Sequence, residues 1–311
     1  MSKRTKKTKT ISSRKSQKIP KKLLDISVKK SINQSNYLIT NYYNQCVALI
    51  NLKLKHPNFD MITTNRNQLF ANFYNYKFYN YMNELVVTNS IYNNQLTVIY
   101  PLPKKEFIDI LNNLLKNYEI KQKRFIIIPL HLLYIQYNTI SHANILMIDL
   151  KKRRAEYFEP HGGVYSNIKN IKNQTTLIKL SKKLIKELQI LFKKIKVKLV
   201  LPHDYLKKQD FQSIESYIEP YIDHKSSVRK KDLNGYCLVW SLWFASLRLK
   251  FPDADLKKLV DKARNIIESE YKFKNFIRNY SKDIYKQNNQ LIKKNIKTMP
   301  QLVEKHFTIY K

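Results

Sequence analysis

Apolar and polar positions change their spacing several times along this chain, and each change predicts a different element. From Asn36 to about Leu54, Tyr42, Cys46, Leu49 and Ile50 recur at helical spacing, which predicts an amphipathic helix. A second helix is expected over Lys104 to Lys116, with Phe107, Ile110, Leu111 and Leu114 on one face. The texture then turns to strands. Arg124-Phe-Ile-Ile-Ile-Pro129 reads as a short β run stopped by proline, Ala143 to Asp149 as a second and Ala155 to Phe158 as a third. The last two flank Lys151-Lys152-Arg153-Arg154, so they read as a central strand, a charged turn and an antiparallel partner.

Helical spacing returns over Thr175 to Ile195, where Leu177, Leu180, Leu184, Leu188, Leu191 and Ile195 form one stripe. Lys196 to Leu201 alternates as a strand. After a polar loop, Cys237 to about Leu249 is apolar all round and reads as a helix broken by Phe251-Pro252, with Asp253 as N-cap of the next. Two more helices complete the pattern. The segment Gln68 to Leu85, rich in Phe, Tyr and Asn, reads either as core-packing aromatics or as a base-stacking platform. The order predicts an α+β chain with a small, mostly antiparallel central sheet flanked by helices. It divides into a basic tail (1–31) expected to be disordered, an N-terminal helical region (32–120), a core (121–250) and C-terminal helices packed on that core (251–311).

Composition adds three constraints. The formal net charge is +35, and Lys3 to Lys30 is a dense basic run with Asp25 as its only acid. That favours polyanionic partners, nucleic acid above all, through the tail and surface, or else a merely solubilising tail. No apolar run reaches the ~18 residues of a membrane span and no signal-peptide pattern opens the chain, so neither membrane association nor secretion is expected. Glycine occurs only 3 times in 311 residues, at Gly162, Gly163 and Gly235, so each is expected where the backbone demands it.

All three glycines fall in the two segments that carry the candidate chemistry. Cys237 follows Asn234-Gly235 at the start of the apolar helix, where a helix N-terminus and a nearby imidazolium together lower a thiol pKa. Alone, it reads equally as a buried core cysteine. His142 opens the central strand. With a two-residue turn at Lys151-Lys152, Leu150 pairs with Arg153 and Asn144 lies opposite Glu159. His142 and Glu159 then stand diagonally on one face, ~7–8 Å apart at Cα, within reach of an imidazole–carboxylate contact. An odd loop length would separate them. His131 and His161 are rival bases, and Asp149 and Glu156 rival acids, with Glu156 of opposite strand parity to Glu159.

Ser141-His142-Ala143-Asn144 through Asp149, then Tyr157-Phe158-Glu159-Pro160, resembles the His-strand-turn-strand-acid segment of papain-like cysteine peptidases of the SUMO-deconjugating and adenovirus-protease type. Gly235-Tyr236-Cys237-Leu238-Val239-Trp240 resembles the cysteine helix of that clan, particularly in thiol-protease-like proteins of giant DNA viruses. The resemblance covers roughly residues 121 to 250. It implies Cys237 as nucleophile, His142 as base and Glu159 as the orienting acid, with no metal or cofactor. The chain departs from the pattern in three places. Ala143 stands where an aromatic usually roofs the substrate tunnel, Tyr236-Cys237-Leu238 replaces Asp-Cys-Gly, and Lys231 occupies the usual oxyanion glutamine position. Gln212, in Asp210-Phe211-Gln212, is the substitute candidate, separated from Cys237 by an insertion (Tyr217 to Lys230), or else a surface polar residue; the Cys237 backbone N–H would be a second oxyanion donor.

The function implied is cleavage of peptide or isopeptide bonds after small residues, in a viral precursor or a ubiquitin-like conjugate, within a virion or the host cytoplasm or nucleus. Two alternatives stand beside it: a non-catalytic nucleic-acid-binding virion protein on the same fold, and an acyltransferase using the same three residues.

Overall fold

The computed structural model describes residues 42–61, 85–89, 96–99, 104–134, 140–163, 176–217, 236–295, 305 and 307. The basic tail, nearly all of the Gln68 to Leu85 aromatic segment, Lys231 and Gly235 lie outside them.

The sheet is built around β4 (Phe125–Tyr134) and β5 (Ile140–Asp149), which pair antiparallel along their whole length, from Phe125 opposite Asp149 to Tyr134 opposite Ile140. β6 (Arg154–Phe158) continues antiparallel on β5, and β7 (Lys198–Val200) adds a short parallel edge. On the other side of β4 lie β1 (Phe59–Asp60) and β2 (Leu85–Asn89), both parallel to it, with β3 (Leu96–Ile99) antiparallel to β2. The long pairings are antiparallel and the parallel ones are short, as expected. Two expectations need correction. Strands β1 to β3 fall in the stretch read as purely helical, so the sheet reaches beyond the expected core. Pro129 also does not stop its strand, which runs on to Tyr134. β1 pairs with β4 at Phe125 and Ile126, and β2 at Leu130 to Leu133. Pro129 falls in the interval between them, where neither strand needs its missing N–H.

Strand alternation divides the core. Ile126, Ile128, Leu146, Ile148, Ala155 and Tyr157 face α2 (Lys104–Asn117) and α3 (Thr176–Lys194), meeting the buried stripe Leu180, Leu184, Leu188 and Leu191. Phe125, Ile127, Ala143, Ile145, Met147 and Phe158 face the other layer. That layer comprises α1 (Tyr42–Lys55), α6 (Cys237–Lys250), α7 (Leu256–Ile266) and α8 (Phe273–Asn295), with short helices α4 (Pro202–Tyr205) and α5 (Phe211–Tyr217) nearby. α6 is apolar all round because it is buried all round, from Leu238 to Leu249. No described helix is long and apolar enough to cross a membrane.

One buried ion pair fixes α6 at its far end. Arg248 Nε donates to Glu156 Oε2 at 2.7 Å and Nη2 to Oε1 at 3.1 Å, while Nη1 donates to the Phe251 carbonyl at 2.9 Å. Beyond it, Asp255 rather than Asp253 caps α7, its side chain accepting from the Lys258 N–H at 2.9 Å. Asp253 instead meets Arg124 at 2.7 Å, and Arg124 also bonds Asp149 at 3.1 Å.

Glu156→Ala would leave Arg248 buried without its carboxylate, and should lower unfolding free energy by about 3–5 kcal/mol in a urea titration. Joint replacement, Glu156→Leu with Arg248→Met, should recover most of the loss. A single-variant cost within experimental error would contradict the role given to this pair.

Candidate active site

The β5–β6 register decides the site. Asp149 pairs with Arg154, Ile148 with Ala155 and Leu146 with Tyr157, which is the register expected from a two-residue turn. Extended past Phe158, it brings Glu159 back onto the face of His142. Their side chains meet: His142 Nε2 lies 2.6 Å from Glu159 Oε1, with both residues buried. The His142 side chain also hydrogen-bonds Cys237.

Cys237 is the first residue of α6 and keeps part of its surface exposed. Its position is set by the backbone of Ala143. The Ala143 N–H donates to Cys237 Sγ at 3.4 Å, and the Ala143 carbonyl accepts from Ser241 Oγ at 3.3 Å, one helical turn further on. β5 outruns β6 here, so these strand groups bond to the helix instead of another strand. Ala143 itself is buried in the core facing α6, so its side chain does not serve as the aromatic roof of the resembling family.

The three groups perturb one another in a consistent sense. Burial alone would lower the His142 pKa, but the Glu159 charge and the hydrogen bonds with Cys237 and Glu159 outweigh it and hold the ring at about 10. Burial would raise Cys237. The hydrogen bond and charge of His142, helped by the N–H groups of Ala143 and Leu238, bring it below the ordinary thiol value. Burial would likewise raise Glu159, yet the His142 charge and hydrogen bond pull it below the usual carboxylate value. The arrangement therefore favours a thiolate and an imidazolium flanked by a carboxylate.

The rival acids are engaged elsewhere. Glu156 binds Arg248 and Asp149 binds Arg124. His131 is buried on β4 opposite Ala143, on the face away from His142. His161 lies against His142, with ring centroids 5.0 Å apart. Burial, then the His142 charge, lower its pKa to about 4, so it stays neutral where His142 is charged.

Gln212 is buried, not a surface residue, with 6% of its area exposed. Its main-chain N–H donates to the Pro160 carbonyl at 3.0 Å, beside the acid, and its neighbour Phe211 packs on Trp240 and Trp243 of α6 at 5.1 and 4.9 Å. The loop before it is anchored by Asp210, which forms a buried two-point ion pair with Arg264 of α7. Gly162 explains itself here. It has φ +98°, and a Cβ would stand 2.7 Å from the Lys207 carbonyl oxygen. Gly163 donates its N–H to that same oxygen at 2.7 Å.

Sequence reasoning missed Asn144, Ser213 and Ser241. Asn144 Nδ2 donates to the Tyr157 hydroxyl at 2.7 Å, and strand parity with His142 and Glu159 was the available signal. Ser213 and Ser241 carried none, because their partners are distant in sequence.

The α+β fold thus sets a thiol at a helix N-terminus against an imidazole on β5 and a carboxylate just past the end of β6. No family model matches the chain. A protein of Acanthamoeba polyphaga mimivirus is 36% identical over 166 residues, which are 52% of this chain and 20% of that relative. The chain thus spans about a fifth of its relative's length. That relative is named as an ankyrin repeat protein, which corrects the expectation of a giant-virus relative named as a thiol protease. Solved structures that match include the SUMO protease Ulp1 with its catalytic cysteine oxidised to a sulfenic acid, at 15% identity and TM-score 0.27, over 60% of this chain and 64% of that one. Another is the Chlamydia trachomatis effector Cdu1 bound to ubiquitin, at 13% identity and TM-score 0.31, over 82% of this chain and 96% of that one.

Alkylation of Cys237 by iodoacetamide should remain fast at pH 6, where an ordinary thiol is under about 1% thiolate. In His142→Ala it should fall by about tenfold or more, with Cys46 as internal control. A Cys237 no faster than Cys46, and indifferent to His142, would refute the ion pair.

Proposed function

We propose that this chain is a thiol hydrolase that cleaves peptide or isopeptide bonds through an acyl-enzyme on Cys237. The observation that carries the reading is the buried 2.6 Å contact of His142 Nε2 with Glu159 Oε1, made by a ring that also bonds Cys237. The thiolate attacks the carbonyl carbon, and the electron pair of the C=O bond moves onto oxygen. The imidazolium then gives its proton to the leaving amine as the C–N bond breaks, leaving a thioester. Neutral His142 next takes a proton from water as the hydroxide adds, and the carboxylic acid departs with the thiolate restored. Glu159 stabilises the charged ring and fixes its orientation throughout.

Gln212 is assigned as an oxyanion donor together with the Cys237 main-chain N–H. Its burial beside the acid loop, with Phe211 packed on α6, supports that role. The substrate class is a protein cleaved after small residues, either a viral precursor or a ubiquitin-like conjugate, in the virion or host cell. The +35 charge supports accompanying contact with nucleic acid.

Ubiquitin and SUMO carrying a C-terminal vinyl sulfone, together with a library of Gly-Gly peptide amides, test the reading. The expected result is an adduct or turnover that depends on Cys237 and is lost in Cys237→Ala. Gln212→Ala should lower kcat about 10²–10³-fold with little change in KM. No adduct and no turnover across the set would overturn the assignment. The rate should rise with pH through the depressed Cys237 value. It should fall as pH rises through about 10, where His142 loses the proton it donates. An alkaline limb near the ordinary histidine value would contradict the coupling to Glu159.

A further inference from the structure

His161 takes no part in the steps above, yet it makes more contacts with the catalytic groups than its position in a loop requires. Its main-chain N–H donates to Glu159 Oε1 at 3.1 Å, the same oxygen that holds His142 Nε2. A carboxylate oxygen held from two directions cannot turn away from the imidazole without losing both contacts. The His161 ring lies over that of His142, 5.0 Å between centroids and tilted by 33°.

Ser213 defines the chemical state of this ring. Its hydroxyl donates to the His161 carbonyl at 3.0 Å, so its only proton is spent there. At the 3.1 Å contact with His161 Nδ1 the same oxygen must therefore accept, and Nδ1 carries the hydrogen. Burial and the His142 charge, which lower its pKa to about 4, keep the ring neutral, so it is the Nδ1–H tautomer whose flat face rests on the imidazolium without like-charge repulsion. The chain on either side has no slack. The Gly162 N–H is tied to the Glu159 carbonyl at 2.9 Å, and the His161 carbonyl accepts from the Asp210 N–H at 3.2 Å.

We propose that His161 is a positioning residue for the catalytic pair: its main chain holds Glu159, and its neutral ring covers His142 and keeps that imidazole against Cys237. The proposal rests on the thiol chemistry assigned above, and names a specific support that such chemistry needs. An uncovered imidazole would rotate away from sulfur, and losing its hydrogen bond and charge raises the thiol pKa.

The test separates ring face, ring nitrogen and backbone. His161→Phe keeps the face and loses the nitrogen, His161→Asn keeps a donor for Ser213 and loses the face, and His161→Ala loses both. All three retain the main-chain N–H. The readout is the pH profile of Cys237 alkylation by iodoacetamide, which needs no peptide substrate, on variants whose thermal melts match wild type. His161→Phe is expected to follow wild type. His161→Asn and His161→Ala are expected to shift the acid midpoint upward by about one pH unit, seen as labelling about tenfold slower at pH values below both midpoints. Should Ala fail to fold, the comparison of Phe with Asn decides alone. Profiles of folded Asn and Ala variants that superimpose on wild type would overturn the proposal, as would a Phe variant shifted as far as Asn. A wild-type Cys237 that labels as an ordinary thiol would instead sink the catalytic pair itself, and the role of His161 with it.

Discussion

The site depends on the register of one hairpin. The turn between β5 and β6 closes with Arg153 N–H donating to the Leu150 carbonyl at 3.3 Å and Asp149 Oδ1 accepting from the Lys152 N–H at 3.1 Å. Arg153 takes a left-handed conformation, φ +48°, to complete it. Because side chains alternate with period two, a slip of one residue would carry Glu159 to the α6 face and bring Glu156 to the face of His142. Glu156 would then lose Arg248, and Tyr157 would lose Asn144. Two buried ionic or polar pairs on opposite faces of β6 therefore specify the same register, and the His142–Glu159 contact follows from it.

The second requirement is that α6 present its N-terminus at the end of β5. Its two ends are fixed by different means. Arg248 ties the C-terminal end to β6, while the Ala143 backbone reaches Sγ of Cys237 and Oγ of Ser241. Between them the helix packs on apolar side chains, including Phe244 stacked on Phe158 at 4.4 Å. Burial of three ionisable groups is costly unless each charge has a partner. Here Glu159 compensates His142, and His142 compensates Cys237. The helix N-terminus and two backbone N–H groups favour the thiolate further.

Much of this was legible in the residues because it follows from periodicity. The stripe of α3, the apolar continuity of α6 and the even turn length predicted the elements and the His142–Glu159 contact. What was not legible depends on partners distant in sequence. Pro129 reads as a strand end, and only the gap between β1 and β2 shows why a strand tolerates it. Asp253 and Asp255 are equally good caps by type, and the Arg124 pairing of Asp253 distinguishes them. β2 and β3 are too short, and the sequence beside them too polar, for either to read as a strand from sequence alone. Gln212 carries no local sign of burial. Its place comes from Asp210 bound to Arg264, more than fifty residues further along the chain.

The central claim is that His142 is a charged imidazolium held between Glu159 and a thiolate. It is tested most directly by nitrogen NMR of ¹⁵N-histidine-labelled protein, with the His142 signals assigned by loss in His142→Ala. At pH 8 the account predicts that both ring nitrogens of His142 are protonated, and that the ring titrates only as pH approaches about 10. A His142 that is neutral at pH 8 and titrates near the free-histidine value would contradict it.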